Sequence, residues 1–493
     1  MASSSSRRLR AFKRWMNSQG IEWSSDAIGF IDTPEQGVSV KALRDLTEGE
    51  VAATIPKAAC LTIKTSGARD LIRAACLDGC LGLSVALMYE KSLGNKSPWA
   101  AYLQLLPDRE CLPLVWTLDE VDHLLPGTEL HKIVKEDKAL IYDDWKESIM
   151  PLVDALHLVP DFFGAEQYFA ARTLVASRSF QIDDYHGFGM VPLADLFNHK
   201  TQAEDVHFTC GTFDSKSDDE DEEGNNNDSY TESAVNGEPA NALGCTSDDS
   251  NVLEMIMVKD VKTGAEIFNT YGFAGNAALL HRYGFTEPDN PYDIVNIDLE
   301  LVLYWSSSLF SGRYSRARLS LWRKLDYSGC VSHNAEYFEI SFNGEPQVEL
   351  LILLYIMLLP EDDYCKLDLA FSTACNHKEP ISIILSEKCN ISWENGSEVN
   401  KDLLLTESVC SALLWLADKR ESLYGLSSMK DDIEALEKCS RKERKLYHSL
   451  MLRVSERRIL EKLRTYATVG TELLKTTKRA STRKRMRRTS GPV

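Results

Sequence analysis

The stretch NTYGFAGNAALLHRYGF, at 269–285, carries two tyrosines twelve residues apart on either side of a short predicted helix. The apolar run VLEMIMV at 252–258 and a Lys-Thr-Gly turn precede it, so we expect Tyr271 where a strand gives way to that helix. Apolar residues at helical spacing follow Asn276, and Gly284 suits a left-handed helix C-cap. The spacing alone fits two core tyrosines with satisfied hydroxyls as well as an exposed functional phenol.

A second stretch, VPLADLFNH at 191–199, ends an apolar run with polar side chains and favours a functional role for Tyr271. If this stretch is a buried strand, Asp195, Asn198 and His199 each need a partner, because an unpaired buried polar group costs roughly 1 to 3 kcal/mol. Taken alone, the stretch could equally be a local turn capped by Asn198.

Length and charge limit the possible classes of protein. A chain of 493 residues predicts two or three domains. Its net charge of −19 argues against a general nucleic-acid binder, though not against a basic protein substrate. The run 214–250 has 12 acidic residues and one lysine, and we expect a solvated loop there. The basic tail 475–493 resembles a nuclear localisation signal, with a merely solvated tail as the alternative.

Cysteine spacing and hydropathy predict neither a metal site nor a membrane span. The 12 cysteines include no CxxC pair, which indicates reduced thiols in the cytosol or nucleus. The longest apolar run, Leu350 to Leu359, is far shorter than the roughly 20 residues of a membrane span, so it predicts a buried helix. Residues 1–11 form a Ser- and Arg-rich leader, which leaves an organelle as a less favoured location than the nucleus or cytoplasm.

Periodicity along the chain divides it into a β-rich part with a helical insertion and a helical part. A helix is predicted over 12–21, ended by Gly20, followed by a strand-turn-strand unit around the turn 47–50. Helical spacing then dominates 70–177 before strand patterns return. From 300 to 470 the patterns are helical throughout.

Five strings, taken in order, resemble the SET-domain protein methyltransferases of the Rubisco large-subunit lysine methyltransferase class. They are GVSVKALRDLTEGEV, EKSLGNKSPWAAYLQLLP, SRSF, LADLFNH, and NTYG with NAALLHRYGF. The resemblance is strong over 12–290 and weaker over 300–470. It implies an α+β protein, in which a β-rich SET fold with a pseudoknot and a helical insertion precedes an all-α substrate-binding domain.

The resemblance also implies S-adenosylmethionine as the cofactor, and it assigns the site residue by residue. Tyr271 matches the catalytic tyrosine whose hydroxyl faces the transferred methyl group. The implied cofactor-binding residues are Gln36, Gly37, Val38, Arg178, Asp195, Asn198, His199, Tyr271, Tyr283 and Phe285. In the family fold the segment with Asn198 passes beneath the loop that carries Tyr271, which would bring the two together.

The chain departs from the family pattern in three places. Gly37-Val38-Ser39 stands where Gly-x-Gly is usual, Ala101 stands where a proline commonly precedes the tyrosine, and the acidic run 214–250 is longer than expected. The first departure bears on how closely the backbone approaches the cofactor.

The implied function is protein-lysine N-methyltransferase acting on a non-histone protein bound between the SET domain and the helical domain. No metal, specific nucleic acid or membrane is expected, and an import receptor could bind the tail 475–493. Two alternatives stay open from the sequence. The acceptor could be histidine on the same fold, or the chain could be a non-catalytic adaptor.

Overall fold

The computed structural model divides into two compact units. Unit one comprises Met1–His123, Leu130–Glu287 and Ser440–His448, and unit two comprises Leu124–Glu129, Pro288–Cys439 and Ser449–Val493. The residues that the structure describes are 4–33, 37–156, 159–209, 251–324, 337–373 and 401–489. The predicted acidic loop at 214–250 and Gln36 lie outside these ranges.

The described part of unit one contains three small antiparallel sheets. Strands β1, β4, β9 and β8 form one sheet in that order, β2 pairs with β3, and β7 lies between β5 and β6. The strands are β1 Glu22–Trp23, β2 Ile28–Thr33, β3 Gly37–Ala42, β4 Val51–Pro56, β5 Leu61–Thr62, β6 Ser179–Asp183, β7 Gly187–Met190, β8 Val206–Thr209 and β9 Val252–Met257.

Helices enclose these sheets and share one apolar core with them. That core includes Phe12 from the first helix, Ile55 from β4, Leu174 from the insertion and Met255 from β9. The helices are α1 Ser4–Ser18, α2 Arg69–Ala74, α3 Gly79–Ser92, α4 Ala100–Leu103, α5 Leu118–Leu124, α6 Leu130–Asp144, α7 Met150–Leu156, α8 Pro160–Phe163, α9 Ala165–Arg178 and α10 Asn276–Tyr283. Helical segments therefore occupy the predicted insertion between β5 and β6.

Three local expectations differ from the structure. Helix α1 begins at Ser4, not at residue 12, because the half-buried Leu9 extends the buried face of Phe12 and Met16 by one more turn. The two strands around the turn 47–50 pair with different partners, β3 with β2 and β4 with β9. The run at 191–199 is not a strand, since a 3₁₀ turn spans Ala194–Leu196.

Unit two has its own apolar core, built around the helix predicted from the run at 350–359. That helix is confirmed and spans Val348–Leu358, and every residue from Leu350 to Met357 is buried. The helices are α11 Leu299–Leu309, α12 Gly312–Lys324, α13 Val348–Leu358, α14 Glu361–Thr373, α15 Lys401–Leu404, α16 Glu407–Glu421, α17 Met429–Lys438 and α18 Arg444–Thr489.

A two-stranded antiparallel ladder interrupts the helical pattern of unit two. Strand β10, Val295–Asp298, pairs with β11, Tyr337–Ile340, and Ile297 and Ile340 of this ladder are fully buried in the same core. The expected fold class, a β-rich SET fold followed by a helical domain, is confirmed with this addition. None of the described helices is both long and apolar enough to cross a membrane.

Candidate active site

Three aromatic side chains of unit one gather around Tyr271. The Tyr271 ring lies 4.4 Å from Tyr283 and 5.1 Å from His199, measured between centroids, and stacks on the latter. Phe285 completes the group at 6.2 Å from His199 and 6.4 Å from Tyr283. The structure therefore brings together four of the residues that the sequence nominated.

Helix α10 and its C-terminal turn position Tyr283 and Phe285 near Tyr271. The predicted helix is confirmed over Asn276–Tyr283, and Gly284 ends it in the left-handed conformation, with φ of +76°. A side chain at Gly284 would also meet the Cys111 carbonyl oxygen at 3.1 Å. The chain therefore turns sharply between the two aromatic residues, as only glycine allows without strain.

Backbone hydrogen bonds join the segment with Asn198 and His199 to the segment with Tyr271. The Asn269 N–H donates to the Asn198 carbonyl oxygen at 2.8 Å, and the Tyr271 N–H donates to His199 Nδ1 at 3.0 Å. The Tyr271 hydroxyl donates to the Phe197 carbonyl oxygen at 3.1 Å. Both the backbone and the hydroxyl of Tyr271 are thus held by residues more than seventy positions earlier.

The side chain of Asn198 reaches a different partner. Its Nδ2 donates to Glu266 Oε1 at 2.7 Å, while its backbone carbonyl accepts from Asn269. The amide therefore links the turn before His199 to the segment that precedes Tyr271.

Burial keeps the central groups uncharged. Burial, and then the neighbouring Tyr283, raises the pKa of Tyr271 above its ordinary range, so the phenol keeps its proton. Burial lowers the pKa of His199, and because Nδ1 accepts a backbone N–H, the ring proton resides on Nε2, which faces Thr201 Oγ1 at 3.3 Å. The site therefore presents a neutral hydroxyl and a neutral imidazole to a ligand.

A charged network lies beside this aromatic group. Arg178, at the end of α9, donates from Nε to Glu110 Oε1 at 2.8 Å and from Nη1 to the Asp195 carbonyl oxygen at 3.2 Å. Its Nη1 is also 3.5 Å from Asp195 Oδ2, and Tyr102 donates its hydroxyl to that same oxygen at 2.8 Å. Arg178, Asp195 and Glu110 all act electrostatically on the Tyr271 hydroxyl, so the network faces the centre of the site.

Backbone strain places Asp195 at this position. Leu193, fully buried, has φ of +79° and ψ of −47°, a conformation that costs a non-glycine residue about 1 to 3 kcal/mol. It immediately precedes the turn Ala194–Leu196. The surrounding core holds this strained turn and directs the Asp195 carboxylate into the interior, where its side chain is completely buried.

Two buried polar atoms at the site have no hydrogen-bond partner within the described part of the chain. They are Asp195 Oδ1, an acceptor, and Asn269 Nδ2, a donor. Buried polar atoms are rarely left unpaired, so this pair marks where a polar ligand would contribute its own donors and acceptors. Among the described residues no cluster of three His, Cys, Asp or Glu side chains could hold a metal ion.

The first glycine turn lies at the start of β3. Gly37 has φ of +74°, and a Cβ added there would meet nothing within 4 Å, so its backbone is open to close approach. Val38 pairs with Asp32 on β2, and β3 packs against the turn that carries Asp195. No described contact joins Gly37 or Val38 to the aromatic group itself.

The sequence did not nominate Tyr102 or Glu110 as site residues. Tyr102 sits in an apolar helical pattern that favours a core role, and only its burial in the structure shows that its hydroxyl needs a partner. Glu110 lies in a loop after α4, where nothing in the local pattern distinguishes it.

Comparison with curated proteins finds similarity to lysine methyltransferases, whereas no family model matches the chain. The chain is 24% identical over 491 residues to N-lysine methyltransferase setd6 of Xenopus tropicalis, covering 92% of this chain and 94% of that protein. It is 28% identical over 369 residues to ribosomal lysine N-methyltransferase 3 of Saccharomyces cerevisiae, covering 58% of this chain and 66% of that protein.

Solved structures show the same fold along nearly the whole chain. The SET domain of LSMT bound to lysine and AdoHcy superposes with a TM-score of 0.63 at 17% identity, covering 94% of this chain and 92% of that one. Rubisco LSMT bound to AdoMet gives a TM-score of 0.61 at 18% identity, with 94% and 91% covered.

Proposed function

We propose that this chain is a SET-domain methyltransferase of the Rubisco large-subunit class, and that it transfers methyl groups from S-adenosylmethionine to lysine in a protein substrate. One observation carries the proposal. Tyr271 lies among His199, Tyr283 and Phe285 with its hydroxyl held by the Phe197 carbonyl, in a chain that shares its fold with Rubisco LSMT.

The residues present fit the cofactor. S-adenosylmethionine offers amino groups as donors and carboxylate and hydroxyl oxygens as acceptors, which match the unpaired Asp195 Oδ1 and Asn269 Nδ2. We assign its binding to these two side chains, to the open backbone at Gly37, and to the Asn198–His199 segment. When bound, the cofactor supplies an electrophilic methyl group on a sulfonium.

The side chains around Tyr271 then prepare the acceptor. A free lysine has a pKa of about 10.4, and the amine must lose its proton before it can act as a nucleophile. Burial of the amine disfavours its ammonium form through desolvation, and the enclosure excludes water from the transfer. Tyr271 and Tyr283 align the amine, and the Tyr271 hydroxyl oxygen accepts weak C–H···O contacts as positive charge on the methyl group shifts.

The substrate is proposed to be a non-histone protein. The names of the relatives support this, since they refer to ribosomal lysine and to Rubisco. The net charge of −19 favours a basic region around the target lysine.

The nucleus and cytoplasm are proposed as the location, with the tail 475–493 binding an import receptor. Its eight positive charges without a carboxylate suit an acidic groove. A fluorescent fusion that lacks these residues should stay in the cytoplasm, and unchanged nuclear entry would overturn the assignment.

Transfer of a labelled methyl group to proteins of a cell extract tests the activity. The purified chain, incubated with methyl-labelled S-adenosylmethionine and the extract, should label a discrete protein, and Tyr271→Phe should label it at least a hundredfold more slowly. Calorimetry on the same preparations measures cofactor binding. Tight cofactor binding with no labelled protein would overturn the proposal in favour of an adaptor.

A further inference from the structure

The string from Glu90 to Tyr102 builds a buried polar scaffold. Glu90, which is fully buried, accepts from the Ser66 hydroxyl at 3.0 Å, from the Gly67 N–H at 2.8 Å and from the Ser97 hydroxyl at 2.7 Å. Ser97 in turn accepts the Trp99 N–H at 3.2 Å. A single carboxylate therefore fixes the turn that leads into helix α4.

Helix α4 directs its tyrosine toward the candidate site. The Trp99 indole donates to the Ala59 carbonyl oxygen at 2.9 Å, which anchors the start of the helix to the segment before β5. Tyr102 packs its ring 6.2 Å from both Phe12 and Trp15. With the ring held on one side, the hydroxyl donates to Asp195 Oδ2 at 2.8 Å on the other.

Asp195 receives support from two directions. Tyr102 donates to Oδ2, and Arg178 lies 3.5 Å from the same oxygen, so Oδ1 alone remains unpaired. Glu110 competes with Asp195 for the guanidinium of Arg178. Its Oε1 accepts a hydrogen bond from Arg178 Nε at 2.8 Å and lies 2.7 Å from Nη2 in an ion pair. The position of Asp195 Oδ1 thus depends on two residues outside the aromatic group.

We propose that Tyr102 and Glu110 are positioning residues of the cofactor site, which act through Asp195 and Arg178. This inference rests on the proposed function. It adds that the helical insertion, which carries both residues, sets the orientation and charge of Asp195. Tyr102 holds the carboxylate so that Oδ1 faces a ligand donor. Glu110 limits how closely Arg178 approaches that carboxylate.

Tyr102 and Glu110 have opposite effects on the pKa of Asp195. Burial raises the pKa of Asp195 to about 6, while Arg178 and the hydrogen bond from Tyr102 lower it and Glu110 raises it. Tyr271 and Cys60 are further ionisable groups near this network, and burial raises the pKa of Cys60, so its thiol stays neutral. Loss of the Tyr102 hydroxyl should therefore raise the pKa of Asp195, and loss of the Glu110 charge should lower it.

The test measures S-adenosylmethionine affinity by calorimetry between pH 5 and 8.5 for the wild type, Tyr102→Phe and Glu110→Gln. At pH 7 the Tyr102→Phe dissociation constant should rise about tenfold, because a hydrogen bond to a charged group is lost. Its loss of affinity on acidification should begin at higher pH than in the wild type, and that of Glu110→Gln at lower pH.

Tyr168→Phe is the matched control. Tyr168 is equally buried in unit one, on α9, but its hydroxyl faces Asp144 and Arg172. Tyr168→Phe likewise removes a fully buried hydroxyl, and it should leave the pH profile of cofactor affinity unchanged. Equal profiles for Tyr102→Phe and Tyr168→Phe, or shifts of the same sign for Tyr102→Phe and Glu110→Gln, would overturn the inference. A wild-type chain that binds no cofactor would instead overturn the proposed function.

Discussion

Replacing Tyr271 with phenylalanine separates catalysis from packing because the two contributions differ in size. The hydroxyl makes one hydrogen bond, to the Phe197 carbonyl at 3.1 Å, whose loss should destabilise the fold by about 0.5 to 1.5 kcal/mol. If the free energy of unfolding is about 5 kcal/mol or more, about 3 kcal/mol or more remains after that loss. The protein would then still be over about 99% folded. Unfolding therefore cannot account for a large fall in turnover.

The expected fall in kcat is at least a hundredfold, which corresponds to about 2.7 kcal/mol of lost transition-state stabilisation. Cofactor affinity should stay within a few-fold, since the ring still packs against Tyr283 at 4.4 Å. Steady-state kinetics with a purified substrate and calorimetry with the cofactor give the two numbers. Tyr283→Phe should cost less and alter the degree of methylation. Equal, small effects of the two substitutions on kcat would refute a catalytic role for Tyr271.

Three further predictions concern Asn198, the acidic run 214–250 and His448. Asn198→Ala removes the bond to Glu266 at 2.7 Å and should weaken cofactor binding by about 1 to 3 kcal/mol, and unchanged calorimetry would remove Asn198 from the site. Deletion of 214–250 should leave cofactor affinity within about tenfold, or 1.4 kcal/mol, and a larger loss in the same titration would place this run in the site. Burial lowers the pKa of His448 to about 4 from 6.5, so the unfolded chain alone gains a proton as pH falls through that window and stability drops. Urea midpoints of His448→Asn should fall less than those of the wild type between pH 7 and 5, and an equal fall would contradict this.

Local patterns in the sequence were sufficient to predict the short helix between Tyr271 and Phe285. The helical spacing and Gly284 predicted the confirmed helix Asn276–Tyr283 with its left-handed end, because both signals act within a few residues. The apolar run in unit two predicted α13 for the same reason. The association of Asn198 and His199 with Tyr271 came from the resemblance, since no local pattern specifies a contact across more than seventy positions.

Long-range pairing explains what the sequence did not predict. The strands on either side of the turn 47–50 alternate correctly, yet periodicity does not determine which partner each strand takes, and β4 pairs with β9 from far along the chain. The apolar run before Asp195 resembles a strand, but the strained Leu193 turns it into a 3₁₀ segment that only the surrounding core can hold. The contacts of Tyr102 with Asp195 and of Glu110 with Arg178 also join residues far apart in the chain, so no local pattern predicts them.

The identity of the amino acid that receives the methyl group shows directly whether this chain is a lysine methyltransferase. A protein labelled from methyl-labelled S-adenosylmethionine by the wild-type chain can be hydrolysed to amino acids and the labelled product identified. We expect label in methylated lysine, with Tyr271→Phe at least a hundredfold slower. Label in methylhistidine, or equal labelling by Tyr271→Phe, would contradict that expectation.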